Sequence, residues 1–94
     1  MGAAGVIDVE RDNLHEIVQQ ETAGGGVDVA FEVAGAAASV ASCLGALKPL
    51  GRYTQVGHLG REISVPFDLV ASRQLRIAGS VGYTAATWTR TLKL

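Results

Sequence analysis

The fold of this chain is decided by the stretch Val27-Asp-Val-Ala-Phe-Glu-Val-Ala-Gly35. Its alternating apolar residues predict a buried strand that ends in a glycine turn. The alanine-rich residues 36–48 predict a helix, and Leu50-Gly-Arg-Tyr-Thr-Gln-Val-Gly57 then repeats the pattern of a strand followed by glycine. Strand, helix and strand, with glycine at each carboxyl end, are typical of nucleotide-binding α/β sheets.

The composition limits both the size of the fold and the classes of partner. Of the 94 residues, 48% are hydrophobic but only 5% are aromatic, so the core must be built from aliphatic side chains, as in sheets buried on both faces. A net charge of −1 gives no attraction to nucleic acid or to an anionic membrane. One cysteine cannot form an internal disulfide, which suits a reducing cytosol. We therefore expect one small cytoplasmic domain that spans residues 1–94.

The remaining elements are predicted from apolar spacing and from glycine and proline. They are a strand at residues 6–9, a helix at 11–21 capped by Asp12 or Asn13, a strand at 53–56, an extended segment at 63–66, a helix at 67–74, a strand at 75–81 and a helix capped by Thr84. No G-x-G-x-x-G occurs in the sequence. We expect an α/β fold, a partial Rossmann-type three-layer sheet of mostly parallel strands that lacks the first two strands and the glycine fingerprint.

Four segments of the chain resemble the medium-chain dehydrogenase/reductase family, which includes the zinc-type alcohol, polyol and threonine dehydrogenases. They are Gly26-Val-Asp-Val-Ala-Phe-Glu-Val-Ala-Gly35, Leu47-Lys-Pro-Leu-Gly-Arg-Tyr-Thr-Gln-Val-Gly57, Val65-Pro-Phe67 and Leu75-Arg-Ile-Ala-Gly-Ser-Val-Gly-Tyr-Thr84. The opening Gly2-Ala-Ala-Gly-Val-Ile-Asp8 resembles the family's third Rossmann strand. The resemblance implies strands three to six of a cofactor domain. It also implies that the phosphate loop, the ribose-binding acidic residue and the catalytic domain with its zinc ligands lie outside this chain.

The resemblance further implies that residues after strands four, five and six line the nicotinamide half of NAD(P). These residues are Val33, Ala34 and Gly35, then Val56, Gly57 and His58, then Ser80, Val81 and Gly82. Such positions need little bulk beside a flat ring and need carbonyl and N–H groups for the carboxamide. From the spacing alone, glycines that only turn the chain are the favoured interpretation. No catalytic residue and no metal ligand is assigned.

The histidines and the cysteine give no metal or acid–base signature. His58 follows a glycine turn and is interpreted as an exposed loop residue, with a proton relay or a cofactor contact as the alternative. His15 is expected on the polar side of its helix, and Cys43 is expected to be a small core residue. One cysteine and two separated histidines do not supply the three ligands of a catalytic zinc site.

The charged residues near the predicted strands are interpreted as structural. Asp28 and Glu32 share one strand face, and we expect them to orient turns or to satisfy backbone groups rather than to form an acid–base pair. The arginines are interpreted as solvated charges; they are Arg52, Arg73 and Arg76.

Together the residues and the resemblance predict a cofactor-domain fragment of an NAD(P)-dependent zinc-type alcohol dehydrogenase. The parent enzyme would transfer hydride between a secondary alcohol and nicotinamide. We expect the chain alone to be inactive and to bind dinucleotide weakly or not at all, because pyrophosphate affinity comes largely from a helix N-terminus behind a glycine loop. The alternatives are a zinc-free quinone-reductase-type fragment and a non-catalytic, self-associating remnant.

The expected partner is a second copy of the chain. The resemblance implies that the strand from Leu75 to Val81 pairs with its own copy across a two-fold axis, in a homodimer or larger assembly. The strand at residues 6–9 is expected beside residues 27–33 or swapped to a partner, because unpaired edges are templates for pairing. No nucleic-acid or membrane partner is expected.

Overall fold

Three parallel strands form the centre of the fold in the computed structural model, which describes residues 2–93. Within those residues the elements are α1 (Leu14–Glu21), β1 (Val27–Glu32), α2 (Ala37–Ala46), β2 (Leu47–Gln55), α3 (Asp68–Ser72), β3 (Arg76–Gly79) and α4 (Ala85–Leu92). The sheet order is β1-β2-β3. Since all three strands run in the same direction, their carboxyl ends meet at one edge of the sheet. The predicted α/β fold with a Rossmann-type parallel sheet is confirmed.

The hydrophobic core lies on one face of the sheet, between the strands and α2. Leu44 of α2 and Leu47 of β2 are each only 2% exposed, and they pack with Tyr53. The opposite face is open, since Phe31 is 65% exposed. Small side chains along α2 allow this close approach, and the half-buried Cys43 packs against the core as predicted.

The local signals for two helix starts are confirmed. The side chain of Asn13 accepts a hydrogen bond from the N–H of Glu16 at 3.1 Å, and the Thr84 hydroxyl accepts one from the N–H of Thr87, also at 3.1 Å. Both are N-cap bonds that satisfy a free donor of the first helical turn. Within residues 2–93, no helix is long and apolar enough to cross a membrane.

The predicted strand at residues 6–9 is wrong. Val6 is 90% exposed and Val9 is 71% exposed, and the segment pairs with no strand of the described chain. Instead the carbonyl of Asp8 accepts hydrogen bonds from the N–H groups of Arg11 and Asp12 at 3.0 and 2.6 Å. An aspartate-centred turn competes with extended structure, and a strand without a neighbour has no ladder to stabilise it.

The junction of α2 and β2 also differs from the prediction. The predicted helix at residues 36–48 ends at Ala46, and the strand begins at Leu47 rather than at Tyr53. The pairing of β1 with β2 shifts register between Val27 and Val29, where β2 contains extra residues. Among these, Leu50 adopts a φ of 67° and donates its N–H to the carbonyl of Arg73 at 2.8 Å. A tertiary hydrogen bond therefore holds this irregularity.

Candidate functional site

The loops that follow β2 and β3 line an open groove of about 450 Å³ at the carboxyl edge of the sheet. Its walls are residues 55–60 and 79–81. The structure brings five of the nine predicted site residues to this groove, namely Val56, Gly57, His58, Ser80 and Val81. The other four do not line the groove; they are Val33, Ala34, Gly35 and Gly82. The loop that contains Gly35 instead lies directly behind the groove, against Gly57.

Gly35 and Gly57 are required by the close approach of two loops. A Cβ atom on Gly57 would overlap the N atom of Gly35 and would lie 2.8 Å from a carboxylate oxygen of Glu32. A Cβ atom on Gly35 would lie 2.5 Å from the carbonyl oxygen of His58, and Gly35 has a φ of 72°, which non-glycine residues rarely adopt. These two glycines therefore do more than turn the chain: they let the loops after β1 and β2 pack backbone to backbone.

The carboxylate of Glu32 lies beneath these loops and is almost completely covered, with 1% of the residue exposed. Its Oε1 atom accepts three hydrogen bonds, from the N–H of Ala34 at 2.9 Å, the N–H of Gly35 at 2.8 Å and the hydroxyl of Ser39 at 2.7 Å. The prediction that Glu32 satisfies backbone groups of a turn is confirmed. The matching prediction for Asp28 is wrong, because Asp28 is exposed and forms an ion pair with Lys48.

The second carboxylate oxygen connects Glu32 to β2. Oε2 accepts a hydrogen bond from Nε2 of Gln55 at 2.5 Å, and the same amide nitrogen donates to the carbonyl of Gly57 at 2.7 Å. The hydroxyl of Tyr53 donates to Oε1 of Gln55. The backbone carbonyl of Glu32 accepts from the N–H groups of Val56 and Gly57, both at 2.9 Å. One residue therefore holds both loops through its side chain and its backbone.

The protonation states follow from these contacts. The hydrogen bond from Ser39 lowers the pKa of Glu32, with further lowering by Gly35, Gln55 and Ala34, and together they outweigh the opposing effect of burial. Burial raises the pKa of Tyr53 to about 12, and nearby charges, including Glu32, add to the rise. Burial also raises the pKa of the Cys43 thiol. At neutral pH the network therefore holds one negative charge, on Glu32, beside two neutral groups.

Arg73 is a structural residue that the sequence interpretation missed. Its Nη1 atom donates to the carbonyls of Gly45 and Leu47, both at 3.0 Å, so the prediction of a solvated charge is wrong. One feature of the sequence could have indicated this role: α2 has no basic residue in its last turn to bind its final carbonyl groups. The last carbonyls of a helix need donors, and here the donor comes from a distant part of the sequence.

The described residues do not fit a zinc site. Within residues 2–93, no group of three or more histidine, cysteine, aspartate or glutamate side chains could hold a metal ion. His15 and His58 are both exposed, as predicted. The groove itself is lined by glycines, by Ser80, by aliphatic side chains and by the polar residues Gln55 and His58.

Comparisons with known proteins agree with the predicted family. The family described as zinc-binding dehydrogenase matches residues 1–94. Sorbitol dehydrogenase of Halalkalibacterium halodurans is 30% identical over 89 residues, which are 94% of this chain and 26% of that protein. D-xylulose reductase A of Aspergillus oryzae is 32% identical over 72 residues, which are 77% of this chain and 20% of that protein.

Solved structures give the same result. The alcohol dehydrogenase from Aeropyrum pernix is similar with a TM-score of 0.78 and 31% identity, over 99% of this chain and 26% of that one. A putative NADPH:quinone reductase from Bacillus thuringiensis is similar with a TM-score of 0.68 and 25% identity, over 98% of this chain and 29% of that one. The chain spans 26% of the length of the sorbitol dehydrogenase that it matches. Because the family match extends along the whole sequence and the parallel sheet agrees with it, the chain belongs to the zinc-binding dehydrogenase family, as a part of the cofactor-binding region.

Proposed function

We propose that the chain forms the nicotinamide-side wall of the cofactor cleft in an NAD(P)-dependent zinc-type alcohol or polyol dehydrogenase. The parent reaction is hydride transfer between a secondary alcohol and nicotinamide, in the cytoplasm. The observation that carries the proposal is the groove at the carboxyl edge of the sheet, where the loops after β2 and β3 meet. Ligands of open parallel α/β sheets lie at this edge. The relatives named sorbitol dehydrogenase and D-xylulose reductase favour a polyol substrate.

The chain's own residues bind and orient the ring in this proposal. Val56, which is 38% exposed, and Val81, which is 81% exposed, offer apolar contact to a flat ring and exclude water from one side of it. Ser80 offers a hydroxyl for the carboxamide, and His58 borders the groove from the β2 side. The loop of Val33, Ala34 and Gly35 supports this wall from behind. When bound, the cofactor supplies the hydride acceptor.

No step of the mechanism is assigned to zinc on this chain, because the described residues do not fit a zinc site. We propose that the 94-residue chain alone does not oxidise alcohols. The test mixes the purified chain with zinc, a polyol and NAD and follows NADH absorbance. Zinc-dependent NADH formation would show that this part of the proposal is wrong.

The binding proposal is tested with the isotope-labelled 94-residue chain and nicotinamide mononucleotide, which carries the ring without the adenine half. We expect amide resonances of Gly57, His58 and Ser80 to move during an NMR titration, with affinity weaker than micromolar. The variant Ser80→Trp should abolish these shifts by filling the groove. Ser64→Trp is the matched control, because Ser64 is also exposed but does not line the groove. Shifts confined to α1 or α4, or no shifts at saturation, would contradict the proposal.

A zinc-free quinone-reductase-type parent is the alternative enzyme. The similarity to the putative NADPH:quinone reductase supports it, since the two types share this sheet. The DNA immediately before the Met1 codon would discriminate between them. An in-frame glycine fingerprint with a cysteine–histidine zinc motif supports the zinc type, and a fingerprint without zinc ligands supports the quinone reductase.

We further propose that the chain self-associates through the strand from Leu75 to Val81, as a homodimer or larger assembly. Within residues 2–93, the only strand that pairs with β3 is β2. All four residues of β3 are exposed, including Ile77 at 43%. An unpaired parallel edge is a template for another strand. Ile77→Lys should shift light-scattering masses toward monomer, whereas Val6→Lys, at a residue that is 90% exposed and outside the sheet, should not. A monomeric wild-type chain at high micromolar concentration would contradict the proposal.

A further inference from the structure

The unit of β1, the glycine turn and α2 has the local architecture of an anion site. In nucleotide-binding folds, the N–H groups of a glycine turn and the first turn of the following helix bind a phosphate. Here α2 begins after Ala36 with no side-chain cap and no acidic residue in its first turn. The positive end of the helix therefore has no counter-charge from its own sequence.

The Glu32 carboxylate lies where such an anion would bind. Three donors converge on its Oε1 atom: the N–H groups of Ala34 and Gly35 in the turn, and the hydroxyl of Ser39 in the first turn of α2. The donor set is that of a small oxyanion site, with two backbone amides and one hydroxyl. With 1% of Glu32 exposed, solvent and dissolved anions do not reach it.

The first amides after the two neighbouring strands are also bound internally. The N–H groups of Val56 and Gly57 are bound to the backbone carbonyl of Glu32, and the N–H of Ser80 is bound to the carbonyl of Gln55 at 3.0 Å. These three amides, two after β2 and one after β3, are therefore used internally. A phosphate at this edge would meet satisfied amides and a buried negative charge.

We propose that Glu32 is a built-in anion that occupies the amide donors of the β1–α2 turn and so excludes phosphate from this turn, which lies behind the groove. Glu32 is thus a positioning residue: it fixes the Gly35 loop against Gly57 without contacting the ligand. The consequence for the cofactor rests on the proposed function: the nicotinamide ring, which unlike the pyrophosphate carries no negative charge, is then the part of a dinucleotide that this edge accepts.

The proposal predicts chemical rescue by a small carboxylate. Glu32→Ala removes the Cγ, Cδ and both carboxylate oxygens, and acetate has these same four heavy atoms. In the variant, sodium acetate should raise the urea midpoint above that in sodium chloride of equal ionic strength. At about ten times its Kd, acetate should shift the folding equilibrium about tenfold. The wild-type chain measures the general difference between the two salts, and the rescue is the excess of the Glu32→Ala response over it.

Two control variants separate anion binding from packing. Glu32→Gln keeps the volume but not the charge, so acetate finds no cavity and gives no rescue. Glu32→Ala combined with Ser39→Ala removes one of the three donors and should weaken the acetate response several-fold. NMR provides the site-specific readout: acetate should move the Ala34 and Gly35 amides of Glu32→Ala, and inorganic phosphate should leave those of the wild type unchanged.

A measurement on the wild type keeps the proposal falsifiable if Glu32→Ala does not fold. The amide shifts of Ala34 and Gly35 should titrate together in the acidic range, and those of Glu32→Gln should not. Among residues 2–93, the other titratable groups that interact with Glu32 are the Cys43 thiol of α2 and the Tyr53 hydroxyl of β2. Both are neutral in acid and cannot produce this titration.

The outcomes are decisive without any dinucleotide. Any one of three results would overturn the proposal. The first is an equal effect of acetate and chloride on a folded Glu32→Ala variant. The others are a failure of the Ala34 and Gly35 amides to titrate, and phosphate binding at these amides in the wild type. Failure of the nicotinamide mononucleotide titration alone would overturn the proposed function and leave this inference standing.

Discussion

Gly57→Ala should destabilise the chain because the structure leaves no space for a methyl group at residue 57. The added Cβ would overlap the N atom of Gly35 and lie 2.8 Å from Oε2 of Glu32. Carbon atoms in proteins normally pack at about 3.5–4.0 Å. The loops after β1 and β2 must therefore separate. Because Glu32 bridges both loops, their separation also strains its hydrogen bonds to Gly35 and Gln55.

The expected loss of unfolding free energy is about 3 kcal/mol. Forcing extra atoms into a packed site costs about 1–3 kcal/mol, and weakening a hydrogen bond to a charged group adds about 1–2 kcal/mol. A chain of this length has a total stability of roughly 5–14 kcal/mol, so the variant should still fold. For domains of this size, about 3 kcal/mol corresponds to a fall in Tm of roughly 12–24 °C.

The assay is urea denaturation followed by circular dichroism, with Gly79→Ala as the matched control. Gly79 also borders the groove, but a Cβ atom there would meet nothing within 4 Å. The control should stay within about 0.5 kcal/mol of the wild type. If Gly57→Ala is equally stable, the loops do not pack as described and the argument from close approach is refuted.

Three further predictions concern the fold. The contribution of Glu32 to the unfolding free energy should be fully present above the ordinary carboxyl pKa of 4.5 and should be lost as the pH falls through the lowered folded pKa, because the unfolded state then binds the proton more readily. Urea titrations from pH 7 to 3 should show this loss, and Glu32→Gln should reduce it. Arg73→Met should cost about 1–3 kcal/mol in urea denaturation by leaving the Gly45 and Leu47 carbonyls without their donor, whereas exposed Arg76→Met should change little. Asn13→Ala should cost about 1 kcal/mol by removing the N-cap of α1, measured in the same way.

Local signals in the sequence predicted much of the fold. The alternation after residue 26 placed β1, and the polar residues Asn13 and Thr84 placed the starts of α1 and α4. The two helix starts depend on interactions within four residues, such as the 3.1 Å bond from the Glu16 N–H to Asn13. Patterns of this range are visible in a sequence because the partners are already adjacent.

The failures occur where distant residues decide the structure. The valines at residues 6–9 have strand propensity but no neighbouring strand, so the local turn at Asp8 prevails. Arg73 lies 28 residues from Gly45, and Gln55 lies 23 residues from Glu32. Nothing in the local pattern indicates these partners. The contact of Gly35 with Gly57 at the candidate site is not visible in the local pattern either, because it depends on the pairing of β1 with β2.

The glycines that suggested a cofactor site are therefore poor evidence for one. Packing alone requires Gly35 and Gly57, since each lies against the backbone of the other loop. A protein that kept this sheet and bound nothing would need both. Ser80 is different: it is exposed, and a tryptophan there would fill the groove without entering the core. Loss of nicotinamide mononucleotide binding in Ser80→Trp with unchanged urea stability would thus be evidence for function, whereas the same loss in Gly57→Ala would report only damage to the fold.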